Sequence, residues 1–156
     1  MRAHVILMKN ESGNFYAPGF NNFNNIPFWN VAEGYQVRTD AAMENAWTGQ
    51  PIAANADVPI GAGWNMIAYF PHYQLTCVRN SNPPFYPISP IIQNVVLVKN
   101  GQGEFCSVRN NFSNMRAWRE GQGYQINVNA DVVLNYPAAQ GQEAALPVGE
   151  PETGVM

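Results

Sequence analysis

The chain has 156 residues, enough for one ordinary domain or two small ones with a sizeable buried core. Only 12% of them are charged, the formal net charge is -3, and the eight basic residues are scattered, so nothing electrostatic favours nucleic acid or an anionic membrane as a partner. No apolar run approaches the ~20 residues that span a bilayer. Polarity comes instead from Asn, Gln, Gly and Thr, a composition that suits turn-rich β architecture better than helical bundles.

Residues 5–8, Val-Ile-Leu-Met, form the first apolar run, too short for a signal-peptide core and followed by no small-residue cleavage site. They read as a strand, and any export signal is expected to lie outside this sequence. Asn10-Glu-Ser-Gly13 then supplies residues that tolerate positive φ, predicting a hairpin into the strand that holds Phe15. The same pattern returns later. Val5, Leu7, Lys9, Asn10, Gly13 and Phe15 recur as Val95, Leu97, Lys99, Asn100, Gly103 and Phe105, an offset of 90. After a one-residue gap the offset becomes 89: Asn21-Asn22-Phe23 faces Asn110-Asn111-Phe112, Asn25 faces Asn114, and Trp29 faces Trp118. Gly34-Tyr35-Gln36 then faces Gly123-Tyr124-Gln125, and Ala41 faces Ala130. About fifteen identities at nearly fixed spacing establish an internal duplication.

Residues 123–128 alternate apolar and polar side chains as a half-buried strand should, and Asn129-Ala-Asp131 turns the chain into residues 132–136, predicting a second hairpin. The first copy offers a weaker equivalent, from Asp40 through Met43 to Trp47. Between the copies, residues 63–70 read as a strand with Trp64, Met66, Ala68 and Phe70 on one fully buried face. The first copy has no such strand ahead of it. Its edge would then be satisfied by sharing residues 63–70 between both copies, by the C-terminal segment, or by a second molecule. Sharing within one chain is the expectation.

Residues 71–90 also lack a counterpart. Pro71, Pro83, Pro84, Pro87 and Pro90 exclude a regular helix or a central strand over most of that stretch, so a long ordered loop is expected. From Ala138 onward the composition is that of a linker. The predicted fold is therefore all-β, with short antiparallel strands in two small barrel-like or sandwich-like units. Residues 1–57 make the first unit, 58–137 the second with its loop at 71–90, and 138–156 a tail. The tail's final residues faintly echo 59–66, which reads as a slice from a longer array. Because the repeat keeps Trp29 and Trp118 at the same distance from Gly-Tyr-Gln, both are expected in equivalent, largely buried positions.

No catalytic apparatus is recognisable. His4 and His72 sit in dissimilar contexts, no Gly-x-Ser-x-Gly element exists, and a dyad of Cys77 with His72 has no flanking signature. Asn55-Ala-Asp57-Val and Asn129-Ala-Asp131-Val repeat a tetrapeptide. One carboxylate per loop is too little charge for calcium, so the pair reads as turns rather than metal sites. No metal or cofactor is expected. In the unmatched loop, Tyr73, Phe85 and Tyr86 form the candidate exposed platform, with Arg79 and nearby amides available to hydrogen-bond a sugar or peptide. The competing reading is that these rings pin the loop to the core.

Three elements together resemble a known repeat: Gly63-Trp-Asn-Met-Ile, then Val96-Leu-Val-Lys-Asn-Gly101 with Gly103 and Phe105, then Trp118 followed by Gly121-Gln-Gly-Tyr-Gln-Ile126. It looks like the modules near the C-terminal ends of large secreted bacterial proteins, several exported by a type IX-like route and held at the surface. The resemblance spans roughly residues 5–137. In such modules a short helical segment follows the Gly-Trp-Asn strand, and here the proline-rich stretch stands in its place. The resemblance implies an extracytoplasmic setting, no catalytic residues, and an adhesive, spacer or anchoring role, with neighbouring repeats or a carbohydrate as partners. A carbohydrate- or other ligand-binding module is the alternative function, and a small hydrolase recognisable only from its fold is the third. In an oxidising setting Cys77 and Cys106 would form one disulfide closing a loop of about 30 residues; otherwise they are two buried free thiols.

Overall fold

The computed structural model describes residues 4–46 and 48–140, and residues 1–3, Trp47 and the tail beyond Gln140 lie outside them. The chain is all-β with antiparallel sheets. The first copy folds as β1 (Val5–Lys9), β2 (Phe15–Ala17), β3 (Phe23–Asn24) and β4 (Gln36–Thr39), paired in the order β3-β2-β1-β4. Next come β5 (Val58–Ile60), β6 (Gly63–Ala68) and a kinked 3-10 helix, Tyr86–Asn94. The second copy supplies β7 (Val95–Asn100), β8 (Phe105–Ser107), β9 (Phe112–Ser113), β10 (Gly123–Val128) and β11 (Val132–Leu134). Its sheet runs β6-β10-β7-β8-β9, and β11 pairs with β5 in a separate two-stranded sheet. No sheet closes on itself, so of the two expected forms the molecule takes the sandwich-like one.

The duplication persists down to single hydrogen bonds. Asn10 Oδ1 accepts from the Asn14 N–H at 2.9 Å, and Asn100 Oδ1 accepts from Glu104 at 3.0 Å. Each turn ends on a glycine held at positive φ, 84° for Gly13 and 83° for Gly103, a conformation that costs glycine nothing. Asn25 Oδ1 takes the Phe15 N–H at 2.6 Å, and Asn114 Oδ1 takes the Phe105 N–H at 2.7 Å. Even the register shift repeats, skipping Ile6 between β1 and β4 and Val96 between β7 and β10.

The sheets differ at one edge. In the second copy β6 pairs along the whole of β10, from Gly63 opposite Val128 to Ala68 opposite Gly123. In the first copy the matching edge of β4 carries no strand among the described residues. The other edge of β6 reaches the first copy only just ahead of β4. Gly34 N–H donates to Met66 O at 2.8 Å and Ala68 N–H to Ala32 O at 3.1 Å, with Glu33 bridged to Ile67. A Cβ on Gly34 would sit 2.9 Å from Ile67 O, so this approach requires glycine. Beyond Gly34 the strands part, and Glu11 Oε2 accepts the Met66 N–H at 2.6 Å instead. Strand β6 is thus shared between the copies, as expected, but only over a few residues on the first-copy side.

Among the described residues one core cluster forms, and its buried members all lie from Val58 onward. Trp118, Tyr69, Tyr136, Ile60, Ile67, Leu75, Ile88, Ile126 and Leu134 are its largest fully buried members. Several expectations are corrected by it. On β6 the buried residues are Met66 and Ile67, followed by Tyr69, while Trp64 is half exposed and Ala68 and Phe70 only partly buried. A strand flanked by both copies buries side chains on both faces, and Trp64 stands where the first copy has already peeled away. Residues 132–134 do not return along β10, because β11 leaves the sheet to pair with β5, where Asp131 Oδ1 accepts the Ala62 N–H at 2.8 Å. Residues 41–46 form no strand.

The proline-rich segment packs over the second copy's core. Leu75 and Trp118 exchange backbone hydrogen bonds at 3.2 and 2.8 Å, and Pro87, Ile88 and Ile91 of the 3-10 helix are buried. Three-residue periodicity tolerates Pro87 at its start, where an N–H would be unsatisfied anyway. At the far end Gln140 Oε1 accepts the Thr76 N–H at 2.9 Å, so residues 138–140 dock on the second copy, whereas the remainder of the expected linker, 141–156, falls outside the described residues.

Candidate binding surfaces

The repeat places one aromatic pair in each copy. Trp118 stacks on Tyr124 with ring centroids 3.9 Å apart and planes 7° from parallel; Trp29 stacks on Tyr35 at 4.2 Å and 8°. Their surroundings differ completely. Tyr69 and Tyr136 meet the Trp118 ring edge-on, and Leu75 closes over its backbone. Trp118 is 0% exposed. Trp29, expected to be buried, is 54% exposed, because the first copy has no equivalent of the segment that follows β6. Val37 is likewise 46% exposed where its counterpart Ile126 is at 0%, and Phe28 and Val31 extend the apolar surface beside Trp29. The Tyr35 hydroxyl accepts from Asn30 N–H at 3.0 Å and donates to Glu33 at 3.1 Å, which holds the pair rigid while it faces solvent.

A second feature lies at the junction. Trp64 is exposed on the shared strand, with Lys99 Nζ 4.8 Å from its ring centroid, a cation–π contact. Matched residues converge around it. Lys9 and Gln36 come from the first copy, Lys99 and Gln125 from the second, and Asn10, Glu11, Asn65 and Met66 complete the lining of a hollow of about 250 Å³. It opens into a larger cleft of about 1060 Å³ that runs along β4, between Tyr35, Val37, Thr39 and Met43 on one side and residues 99–103 and 122–125 on the other.

The candidates named from sequence are not assembled into one platform. Phe85 is 2% exposed and belongs to the core, so its ring offers no surface to a ligand. Tyr73 and Tyr86 are partly buried against that core, the Tyr73 hydroxyl donating to Pro137 O at 2.8 Å, and Arg79 is exposed. Loop pinning accounts for Phe85 and Tyr73. Trp64 escaped attention in the sequence because its alternation with Met66 suggested burial. His4 pairs with Asp40 and His72 with Glu120, each at an exposed position, and no group of three His, Cys, Asp or Glu side chains gathers among the described residues.

Cys77 and Cys106 are brought together. Both are fully buried free thiols, and a hydrogen bond donated by the Cys77 thiol to Cys106, with burial, drives the Cys77 pKa far above its ordinary value. Such thiols are inert once the protein has folded. Refolded under oxidising conditions, the pair is expected to close into a disulfide, lowering the intact mass by two hydrogens and adding about 3 kcal/mol of stability. Two thiols still titratable in denaturant after oxidative refolding would refute this.

No protein-family model, curated protein or solved structure matches the chain.

Proposed function

We propose that the protein is a non-catalytic interaction module, adhesive in role, of an exported, multidomain, surface-associated protein. The observation that carries the reading is the Trp29–Tyr35 pair, with its tryptophan 54% exposed, whose twin the same fold buries. Contiguous exposed apolar surface of this kind marks a contact site, because leaving it in water costs free energy that a partner would recover. Beads coated with the module are expected to cluster and to adhere to cells that display it, and Phe28→Ser with Trp29→Ser to abolish both. Beads that stay dispersed and ignore such cells, with wild type and variant alike, would count against an adhesive role.

A saccharide ligand is the second reading, favoured by a different observation. Trp64 is an exposed ring beside four amides, Asn10, Gln36, Asn65 and Gln125, with two lysines able to meet an acidic sugar. Titration of neutral and acidic oligosaccharides is expected to quench Trp64 fluorescence, and Trp64→Ala to remove binding without loss of stability. Unchanged emission across both sugar classes would eliminate this ligand.

A further inference from the structure

We infer that the free edge of β4 is an acceptor for a strand of the Gly63–Ala68 kind carried by another repeat unit. The inference rests on the interaction-module reading above and names its partner. The molecule contains the template for the complex. In the second copy β10 receives β6 along its full length, and the chain that continues from β6 lays Tyr69 and Leu75 over Trp118. Strand β4 is the counterpart of β10, in the same sheet order and with the same register shift, yet among the described residues no strand lies along its outer edge. One protein thus shows the same surface filled and unfilled.

The backbone geometry suits the role. Asp40 N–H donates to His4 O at 3.0 Å, as Asn129 N–H does to Asn94 O at 2.9 Å. Backbone groups alternate sides along an antiparallel strand, so Gln36 and Arg38 face β1 while Val37 and Thr39 aim their N–H and C=O groups outward. These are the counterparts of Ile126 and Val128, which face β6 in the second copy. Natural edge strands are commonly blunted by proline, lysine or a bulge. None of these occurs in β4, whose only charge is Arg38, and the register shift lies in its partner β1. The cleft of about 1060 Å³ along Tyr35, Val37 and Thr39 provides room. Gly34 is already bonded to Met66, so the incoming strand pairs over residues 35–39, antiparallel, with its Gly63 equivalent opposite Thr39. Its continuation would cover Trp29 as residues 69–75 cover Trp118. Main-chain bonds then supply affinity and the aromatic contact supplies specificity, as in other strand-addition complexes.

The test uses the full chain and a fluorescein-labelled peptide with the sequence of residues 58–76. Saturable binding is expected, with slowed amide exchange at Val37 and Thr39. Val37→Pro should weaken it by about tenfold or more, because proline removes an outward N–H, and it should leave the fold intact because proline is tolerated at a solvent-facing edge. Circular dichroism and the denaturation midpoint verify that the variant is folded. No peptide binding, or binding that Val37→Pro leaves unchanged, would overturn strand addition. If bead clustering still depended on Phe28 and Trp29 in that case, the interaction module would stand with a different partner. If clustering were also absent, both readings would fall.

Discussion

Trp118→Ala is expected to destabilise the protein by about 3–5 kcal/mol, and Trp29→Ala by less than about 1 kcal/mol, although the two residues are counterparts in one repeat. Trp118 is fully buried among Tyr69, Tyr124 and Tyr136, so its removal leaves a cavity in the centre of the core. Its neighbours are anchored by the Leu75 backbone pairing and cannot collapse far into the space. Trp29 loses its stacking on Tyr35 and some half-exposed area. For a chain of this size the first change lowers Tm by roughly 10 °C. Thermal and urea denaturation of both variants measure the contrast, and comparable losses would mean that the first copy's pair is covered in solution.

Alkali is expected to unfold the second copy between about pH 10 and 12, where an ordinary surface would tolerate the change. Burial pushes the Tyr124 hydroxyl up to about 12 and raises Tyr69 and Tyr136 well above the ordinary tyrosine value. An unfolded tyrosine titrates near 10. A raised folded pKa means that the stabilisation is whole below the unfolded value and is lost as pH climbs toward the folded one. Two of these phenols also act as donors, Tyr69 to Tyr73 O at 2.7 Å and Tyr136 to Ala68 O at 2.8 Å, and ionisation removes the proton each bond requires. Tyrosinate absorbance should therefore rise together with loss of the β circular dichroism signal. Ionisation of all seven tyrosines near pH 10 with the fold intact would contradict the packing described here.

The repeat made most of the architecture legible. Paired Asn, Gly and Phe residues specify turns and strand starts locally, so β1, β2 and β4 and their counterparts β7, β8 and β10 followed from matched spacing, whereas the two-residue β3 and β9 stand where the paired Asn-Asn-Phe reads as a turn. What was illegible depends on long-range cover. Trp29 and Trp118 stand in near-identical local sequence, and only the segment after β6 distinguishes them. In the run from Trp64 to Phe70 periodicity favours the Trp64 face, yet Ile67 and Tyr69 on the opposite face are buried as well, so alternation alone misplaces Trp64. Partner choice by β11 leaves no mark in its own residues, since Val-Val-Leu would suit either β10 or β5. Phe85 looked exposed among prolines, yet it adopts φ 52° at the mouth of the 3-10 helix and turns into the core. The candidate surfaces fared worse than the fold for the same reason. Exposure at Trp29 and Trp64 comes from what fails to reach them.

Residue-resolved amide exchange compares the filled and unfilled edges within one molecule. Ile126 and Val128, paired to β6, are expected to exchange slowly, in step with global unfolding. Val37 and Thr39 should exchange orders of magnitude faster, while Arg38, bonded to β1, stays protected. Equal protection at Val37 and Ile126 would contradict the account, because it would show that the edge of β4 is already occupied.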